Sequence, residues 1–298
     1  MSLWYWSLIF VLGIGWGSSF FFNEILLREL GPFSTSAGRI AFGALGCWLW
    51  LVVSRKHQSL ALRQLGILAI FGMFQYTIPL TIYPFTQQFI TSSAAGIVNA
   101  MTPMLVVVII HMWPGGEKAT FLKSVGVVVG FIGIVVVAWP EFHVQGESNP
   151  YALLGTITAP VCYAIALNLI RLLDGINRTV MTAWSLLFGS LAMVPFAFLM
   201  EGTPVITRPE TWASLFFIGF VTTSAAFILL FWLIPRVGGT TASTITLIAP
   251  ISSIWLGVVF LSEKILPIQS VGMAIIFLGL LFVDGRVFRF GRNAKPAG

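Results

Sequence analysis

Apolar residues run in blocks of roughly twenty along most of this chain, and short polar gaps separate the blocks. A helix crosses ~30 Å of hydrocarbon with roughly 20 apolar residues. Cut at charges, glycines and prolines, the blocks predict ten membrane-spanning helices at about 3–23, 32–54, 64–85, 91–112, 121–140, 151–172, 179–200, 211–233, 239–261 and 267–285. The gaps are too short for a separate soluble domain. The opening block, "MSLWYWSLIFVLGIGWGSSFFF", has no basic leader and no clear small-residue cleavage site, so it reads as a retained first helix and not as a signal peptide. Composition agrees. Charged residues make up 9% of the chain, against about 25% in a soluble domain. That is too little charge to cover a water-facing surface, so lipid is the solvent for most of it.

The pattern is written twice. "EKATFLKSVGVVVGFIG" begins at Glu117 and "EKILPIQSVGMAIIFLG" at Glu263, 146 positions later. Both copies carry Glu-Lys, then Ser-Val-Gly, then a glycine seven residues on: Gly126 and Gly133 in one, Gly272 and Gly279 in the other. Upstream the correspondence continues at an offset of 147. Ser92, Gly96, Asn99 and Pro103 match Gly239, Ser243, Thr246 and Pro250; Gly72 matches Gly219; Trp16 matches Tyr163. The chain therefore divides into a first five-helix unit (1–140), a connecting loop (141–150), a second five-helix unit (151–285) and a basic tail (286–298). Five is odd, so the second unit enters the membrane from the opposite side. The fold class predicted is an all-α integral membrane protein with ten transmembrane helices in a 5+5 inverted-topology repeat. Such repeats are a common way of building secondary transporters; a duplication that merely made a stable bundle is the plainer reading.

Basic residues set the orientation. With the N-terminus in the cytoplasm, twelve of the sixteen fall in inner loops or the tail, three fall outside (Arg28, Arg208 and Lys264), and Arg39 lies within the second span. That asymmetry follows the positive-inside rule. Both termini are expected in the cytoplasm, with the protein multi-pass in a bacterial inner membrane. Topology thus accounts for the net charge of +6, and no nucleic-acid role is needed. Most tryptophans fall near span ends, as an interfacial belt requires. Trp16, Trp184 and Trp255 lie deeper.

"WGSSFF" at Trp16–Phe21, Arg39 in the second span, and the two proline-bearing helices of Pro103 and Pro250, each followed by a Glu-Lys loop and Ser-Val-Gly, resemble the EamA family of the drug/metabolite transporter superfamily. Within it the chain looks most like the YddG-type bacterial exporters of aromatic amino acids. The resemblance covers nearly the whole chain. It implies ten helices in a 5+5 inverted repeat, a central cavity between the halves, and export of small metabolites from the cytoplasm.

The residues offer a substrate site of their own. Ser92, Gly96, Asn99 and Pro103 line one face of the fourth span, and Gly239, Ser243, Thr246 and Pro250 line one face of the ninth. Small polar faces serve close helix packing or line a wet cavity; a buried amide without partners is costly. Pro103 and Pro250 withdraw a backbone donor in mid-span, which frees the carbonyls of Asn99 and Thr246 for a substrate ammonium group or simply kinks the helix. Aromatic groups stand nearby in the pattern: Trp16 and Phe20 on one face of span one, Tyr163 as the counterpart of Trp16, and Tyr76, Pro79 and Tyr83 at helical spacing on span three. A ring-bearing side chain stacks on such surfaces and an ammonium approaches their faces. The expected substrate-binding set is Trp16, Phe20, Tyr76, Pro79, Tyr83, Asn99, Pro103, Tyr163, Ser243, Thr246 and Pro250, with Trp255 as a possible addition. Arg39 reads as an interfacial anchor that snorkels to the outer surface, with Glu24 as its partner, or as a substrate contact.

No carboxylate stands in mid-span, so no proton relay is evident, and facilitated diffusion is the favoured mode. The phosphate-binding loop G-x-x-x-x-G-K-[ST], H-E-x-x-H and G-x-S-x-G are all absent from the sequence. Cys47 and Cys162 make no metal spacing. No cofactor, no metal and no catalytic residue is expected. The partners are the lipid bilayer and a small-molecule substrate. The function expected is alternating-access export of aromatic and other apolar amino acids; the alternative is a broad exporter of lipophilic cations or drugs.

Overall fold

The structure is a computed structural model and describes residues 2–56, 58–140, 148–238 and 244–284. Among the described residues every regular element is helical. Among the described residues nine helices are long and apolar enough to cross a bilayer: α1 (Leu3–Leu27), α2 (Pro32–Ser54), α3 (Leu62–Gln87), α4 (Ser92–Met112), α5 (Phe121–Ala138), α6 (Pro150–Leu173), α7 (Arg178–Glu201), α8 (Pro209–Val237) and α10 (Pro267–Asp284). The shorter apolar helix α9 (Ile245–Leu261) is the tenth; residues 239–243, where the ninth span was expected to begin, lie outside the described residues. Helices are the natural answer to a solvent that offers no hydrogen bonds, because each satisfies its own backbone.

The boundaries have local causes. Proline stands at the start of α2, α6, α8 and α10, where its missing N–H costs nothing. Thr91, Thr120, Asn149 and Asn177 accept hydrogen bonds from first-turn N–H groups of α4, α5, α6 and α7. Gly202 (φ +74°) and Gly238 (φ +81°) end α7 and α8, in a region of φ that favours glycine.

Inside the spans the helices are not uniform. α3 widens to a π-helical segment at Met73–Thr77 and α8 does so at Phe217–Ala225. In α3, Pro79 lacks an N–H and crowds the carbonyl four residues before it, so the ladder slips just there. In α8 the hydroxyls do it. Thr222 and Thr223 both donate to the Ile218 carbonyl (3.0 and 2.7 Å), while Ser224 donates across to the Gly43 carbonyl of α2 (2.8 Å). Side-chain donors of this kind compete with the backbone ladder.

Packing runs across the two halves of the chain. α1 lies against α9 and α4 against α6; α2 lies against α8 and α3 against α7; α2 also packs on α7, and α5 on α10. Small residues permit these approaches, since lipid leaves no hydrophobic gain between spans and dispersion must hold them. Along α5 and α10, Gly126, Gly130 and Gly133 face Gly272 and Gly279, so that a Cβ added at Gly279 would stand 2.7 Å from the Gly126 carbonyl oxygen. Gly72 of α3 abuts the backbone of Ser185 in α7, and its sequence counterpart Gly219 of α8 abuts Phe42 and Arg39 in α2. Large apolar side chains such as Leu49, Val53, Val128, Ile132 and Leu199 point outward, as a lipid solvent requires.

Candidate functional site

The π segment of α8 organises one side of the bundle interior. By widening the helix it brings two successive threonines to the same neighbourhood. Arg39 of α2, 7% exposed, donates from Nε to Thr223 Oγ1 (3.2 Å) and from Nη2 to Ser19 Oγ of α1 (3.1 Å). Neither hydroxyl can turn its proton toward the cation. Ser19 donates to Thr222 Oγ1 (3.1 Å), which donates to the Ile218 carbonyl, and Thr223 donates to that same carbonyl. Two hydroxyl relays therefore run from one guanidinium to one backbone oxygen. The indole of Trp16 is tied to the same segment: its Nε1–H donates to the Thr222 carbonyl at 3.1 Å.

The other side is built from α1, α3, α4 and α6. Tyr83 donates its hydroxyl to Asn99 Oδ1 at 2.8 Å, and Phe20 meets the Tyr83 ring edge-on with centroids 5.0 Å apart. Such pairs contribute ~0.5–1.5 kcal/mol beyond area burial. Tyr163 packs against this group. A second aromatic line runs from Trp16 to Phe227 (5.5 Å) and on to Tyr76 (5.3 Å). Below Phe20, Asn23 Nδ2 donates to Gln87 Oε1 (2.9 Å), and Gln87 Nε2 donates to the Phe20 carbonyl (2.8 Å). The result is a cluster of rings, hydroxyls, amides and one cation, held between spans of both halves. Among the described residues no group of three or more His, Cys, Asp or Glu converges as a metal set would.

A profile of the EamA-like transporter family matches residues 3–139 and 150–283. The chain belongs to the EamA-like transporter family. It is a membrane transporter and not an enzyme. Similar proteins carry the same kind of name. The uncharacterized transporter YoaV of Bacillus subtilis (strain 168) is 25% identical over 93% of this chain and 94% of its own length. An uncharacterized transporter of Archaeoglobus fulgidus is 23% identical over 90% of this chain and 94% of its own, and protein PecM of Dickeya dadantii (strain 3937) is 21% identical over 94% and 93%. A solved crystal structure shares the fold with a TM-score of 0.66 at 15% identity, covering 99% of this chain and all of the other.

In this transporter most of the residues expected at the site do lie inside the bundle. Phe20, Tyr76, Pro79, Tyr83 and Pro250 are buried, and Trp16, Asn99, Pro103, Tyr163 and Thr246 are partly buried. Tyr83 touches both Asn99 and Phe20, and Trp16 and Tyr76 meet through Phe227. Ser243 lies outside the described residues. Three expectations need correction. Trp255 is 58% exposed and packs edge-on to Phe260 on the outside of α9, so it is no part of the interior. The Asn99 carbonyl, left without its usual donor by Pro103, accepts the Thr102 hydroxyl at 2.7 Å; the neighbouring side chain supplies the bond that a substrate ammonium was expected to make. Arg39 does not snorkel to the surface, and Glu24 is not its partner: it turns inward to Ser19 and Thr223. Sequence reasoning missed Ser19, Thr222, Thr223 and Phe227. The run Thr222-Thr223-Ser224 within an otherwise apolar span was the available signal, since three consecutive hydroxyls in hydrocarbon must find acceptors.

Proposed function

We propose that this transporter exports small amphipathic metabolites, with aromatic and other apolar amino acids as the substrate class, and that it works by alternating access of two five-helix units. The observation that carries the substrate class is the Phe20–Tyr83–Asn99 cluster with Trp16 and Tyr163 beside it: ring surfaces for an apolar side chain, set next to polar groups for a charged backbone end. Trp16, Phe20, Tyr76, Pro79, Tyr83, Asn99, Pro103, Tyr163, Thr246 and Pro250 form the binding surface in this reading.

The mechanism rests on an inverted repeat of residues 1–140 and 151–285, joined by 141–150. Two facts support it. The principal pairings map onto one another when each helix is exchanged for the one five places away: α1 on α9 becomes α6 on α4, and α2 on α8 becomes α7 on α3. The π segments of α3 and α8 also correspond at the offset of 147 found in the sequence. Exchange of conformation between such units converts an inward-facing state into an outward-facing one. The bias of basic residues toward one set of loops supports cytoplasmic termini and a bacterial inner membrane in this reading, and the lack of a mid-span carboxylate favours facilitated movement down a gradient.

Purified protein in liposomes loaded with labelled phenylalanine tests the substrate class. The expected outcome is protein-dependent efflux that unlabelled aromatic and apolar amino acids inhibit. Absence of protein-dependent movement for any of these amino acids overturns it.

A further inference from the structure

Arg39 presents an electrostatic problem that the fold does not solve. Its guanidinium is fully ionised at any physiological pH. It begins seven residues inside α2, about 10 Å from the start of that helix at 1.5 Å per residue. It is more than nine-tenths buried. A buried charge ordinarily has a counter-ion. Among the described residues its hydrogen-bond partners are two neutral hydroxyls, and no carboxylate is within ion-pair distance.

The hydrogen-bond inventory shows which part of the cation is open. Guanidinium has five N–H donors in a rigid fork. Arg39 uses one on Nε and one on Nη2, both along a single edge; among the described residues Nη1 makes no hydrogen bond. The hydroxyl relays through Ser19, Thr222 and Thr223 end on the Ile218 carbonyl, so they orient the fork without neutralising it. The edge carrying Nη1 and the second Nη2 hydrogen keeps the geometry that receives the two oxygens of a carboxylate side by side. Tyr83, bonded to Asn99 and edge-on to Phe20, and Tyr163 packed with them belong to the same bundle interior.

We propose that Arg39 is the binding residue for a carboxylate on the transported molecule, and that the charge the fold leaves unmatched is matched by substrate. The inference rests on the transporter reading above and sharpens it. A molecule with a carboxylate and a ring is recognised at both ends. A purely cationic amphiphile meets repulsion at Arg39, so the site selects against the lipophilic cations that the sequence alone left open.

The test is thermal stabilisation of the purified protein in chloride-free detergent buffer. The ligands are matched pairs that differ in the charged end: phenylalanine with phenethylamine, and phenylacetate and benzoate with benzylamine. Sodium chloride is run as a separate arm. The expected result is that carboxylate-bearing ligands raise Tm and the amines do not. In Arg39→Gln the carboxylate affinities fall roughly tenfold or more, since truncating one partner of a buried charge pair is costly. Arg39→Lys, which keeps the charge and loses the fork, recovers part of that loss. A residue that only braced α1, α2 and α8 would lower the ligand-free Tm of Arg39→Gln and leave the carboxylate affinities of the folded fraction unchanged; that outcome overturns the proposal. Stabilisation by amines, or by chloride and none of the carboxylates, overturns it too. Should phenylacetate and benzoate bind through Arg39 while phenylalanine does not, the carboxylate assignment stands and the amino-acid reading falls. Phenylalanine efflux that Arg39→Gln leaves intact sinks the Arg39 proposal and spares the transport reading.

Discussion

At the scale of single residues, Gly17 shows how little room the fold leaves. It lies where α1 crosses α9. A Cβ there would fall within the van der Waals envelope of the Ser252 hydroxyl and the Ala249 carbonyl, both on a helix that cannot yield without separating from α1. Gly15, two residues earlier, has nothing nearer than the Thr222 methyl at 3.9 Å. Alanine is the better helix former at both positions, so only packing distinguishes them. Gly17→Ala is expected to lower Tm in detergent by the equivalent of ~1–3 kcal/mol of overpacking, whereas Gly15→Ala leaves Tm unchanged or slightly raised. Equal melting of the two variants contradicts the close crossing. Much at this scale was legible beforehand. That Trp16 and Phe20 share a face of α1, and that Tyr83 and Asn99 are interior candidates, follows from helical spacing; that Tyr83 would bond Asn99 does not. Arg39 was not legible. Its partners come from α1 and from α8, 184 positions away in the case of Thr223, and their hydroxyls reach it only because α8 widens there. Spacing rules for a regular α-helix turn Thr223 a different way.

At the scale of elements, one end of the bundle is laced by carboxylates that cap helices belonging to the other half of the chain. Glu201, ending α7, accepts from the Phe33 and Ser34 N–H groups at the start of α2 (2.9 and 2.8 Å). Glu263, after α9, accepts from the Ser92 and Ser93 N–H groups at the start of α4 (2.7 and 3.0 Å) and from the Ser93 hydroxyl. Glu29, after α1, accepts from the Thr207 and Arg208 N–H groups before α8 and from the hydroxyls of Thr207 and Thr211. Each meets the positive end of a helix dipole and its unpaired N–H groups. The two threonine hydroxyls are the main reason that the Glu29 carboxyl is held below the ordinary 4.5, to about 2. Its folded state binds a proton less readily than its unfolded state. Its contribution to stability is therefore complete above pH 4.5 and fades as pH falls toward 2. Melting curves from pH 6 to pH 3 are expected to show the wild type approaching Glu29→Gln, which starts lower and loses less. Curves that remain parallel through that window rule out the assignment. Span positions were readable because charges, prolines and capping residues bracket the apolar blocks. The caps between distant loops were not, because a glutamate at a span end gives no hint of which helix start it will meet.

At the scale of the whole molecule, the question is whether the two halves face opposite ways. Parity alone argues for it: five crossings return the chain to the far side, and the Glu-Lys-to-glycine segment that precedes and enters α5 recurs before and within α10. The packing gives a second argument. α5 and α10 meet glycine to glycine along their length, and two copies of one sequence can present the same face to each other only about a two-fold axis. If both lie in a membrane with opposite direction, that axis lies in the membrane plane, and each contact of one half reappears upside down in the other. The consequence can be measured at Lys118 and Lys264, which stand at matching places in the two copies. In a background with Cys47 and Cys162 replaced, both of which are buried, Lys118→Cys and Lys264→Cys are labelled in intact cells with a membrane-impermeant maleimide. The expected outcome is that the thiol at position 264 reacts from outside and the one at 118 reacts only after the membrane is opened. Reaction of both from one side would make the halves parallel. Exchange of conformation between them would then no longer move an opening from one face of the membrane to the other, and alternating access would lose its structural basis.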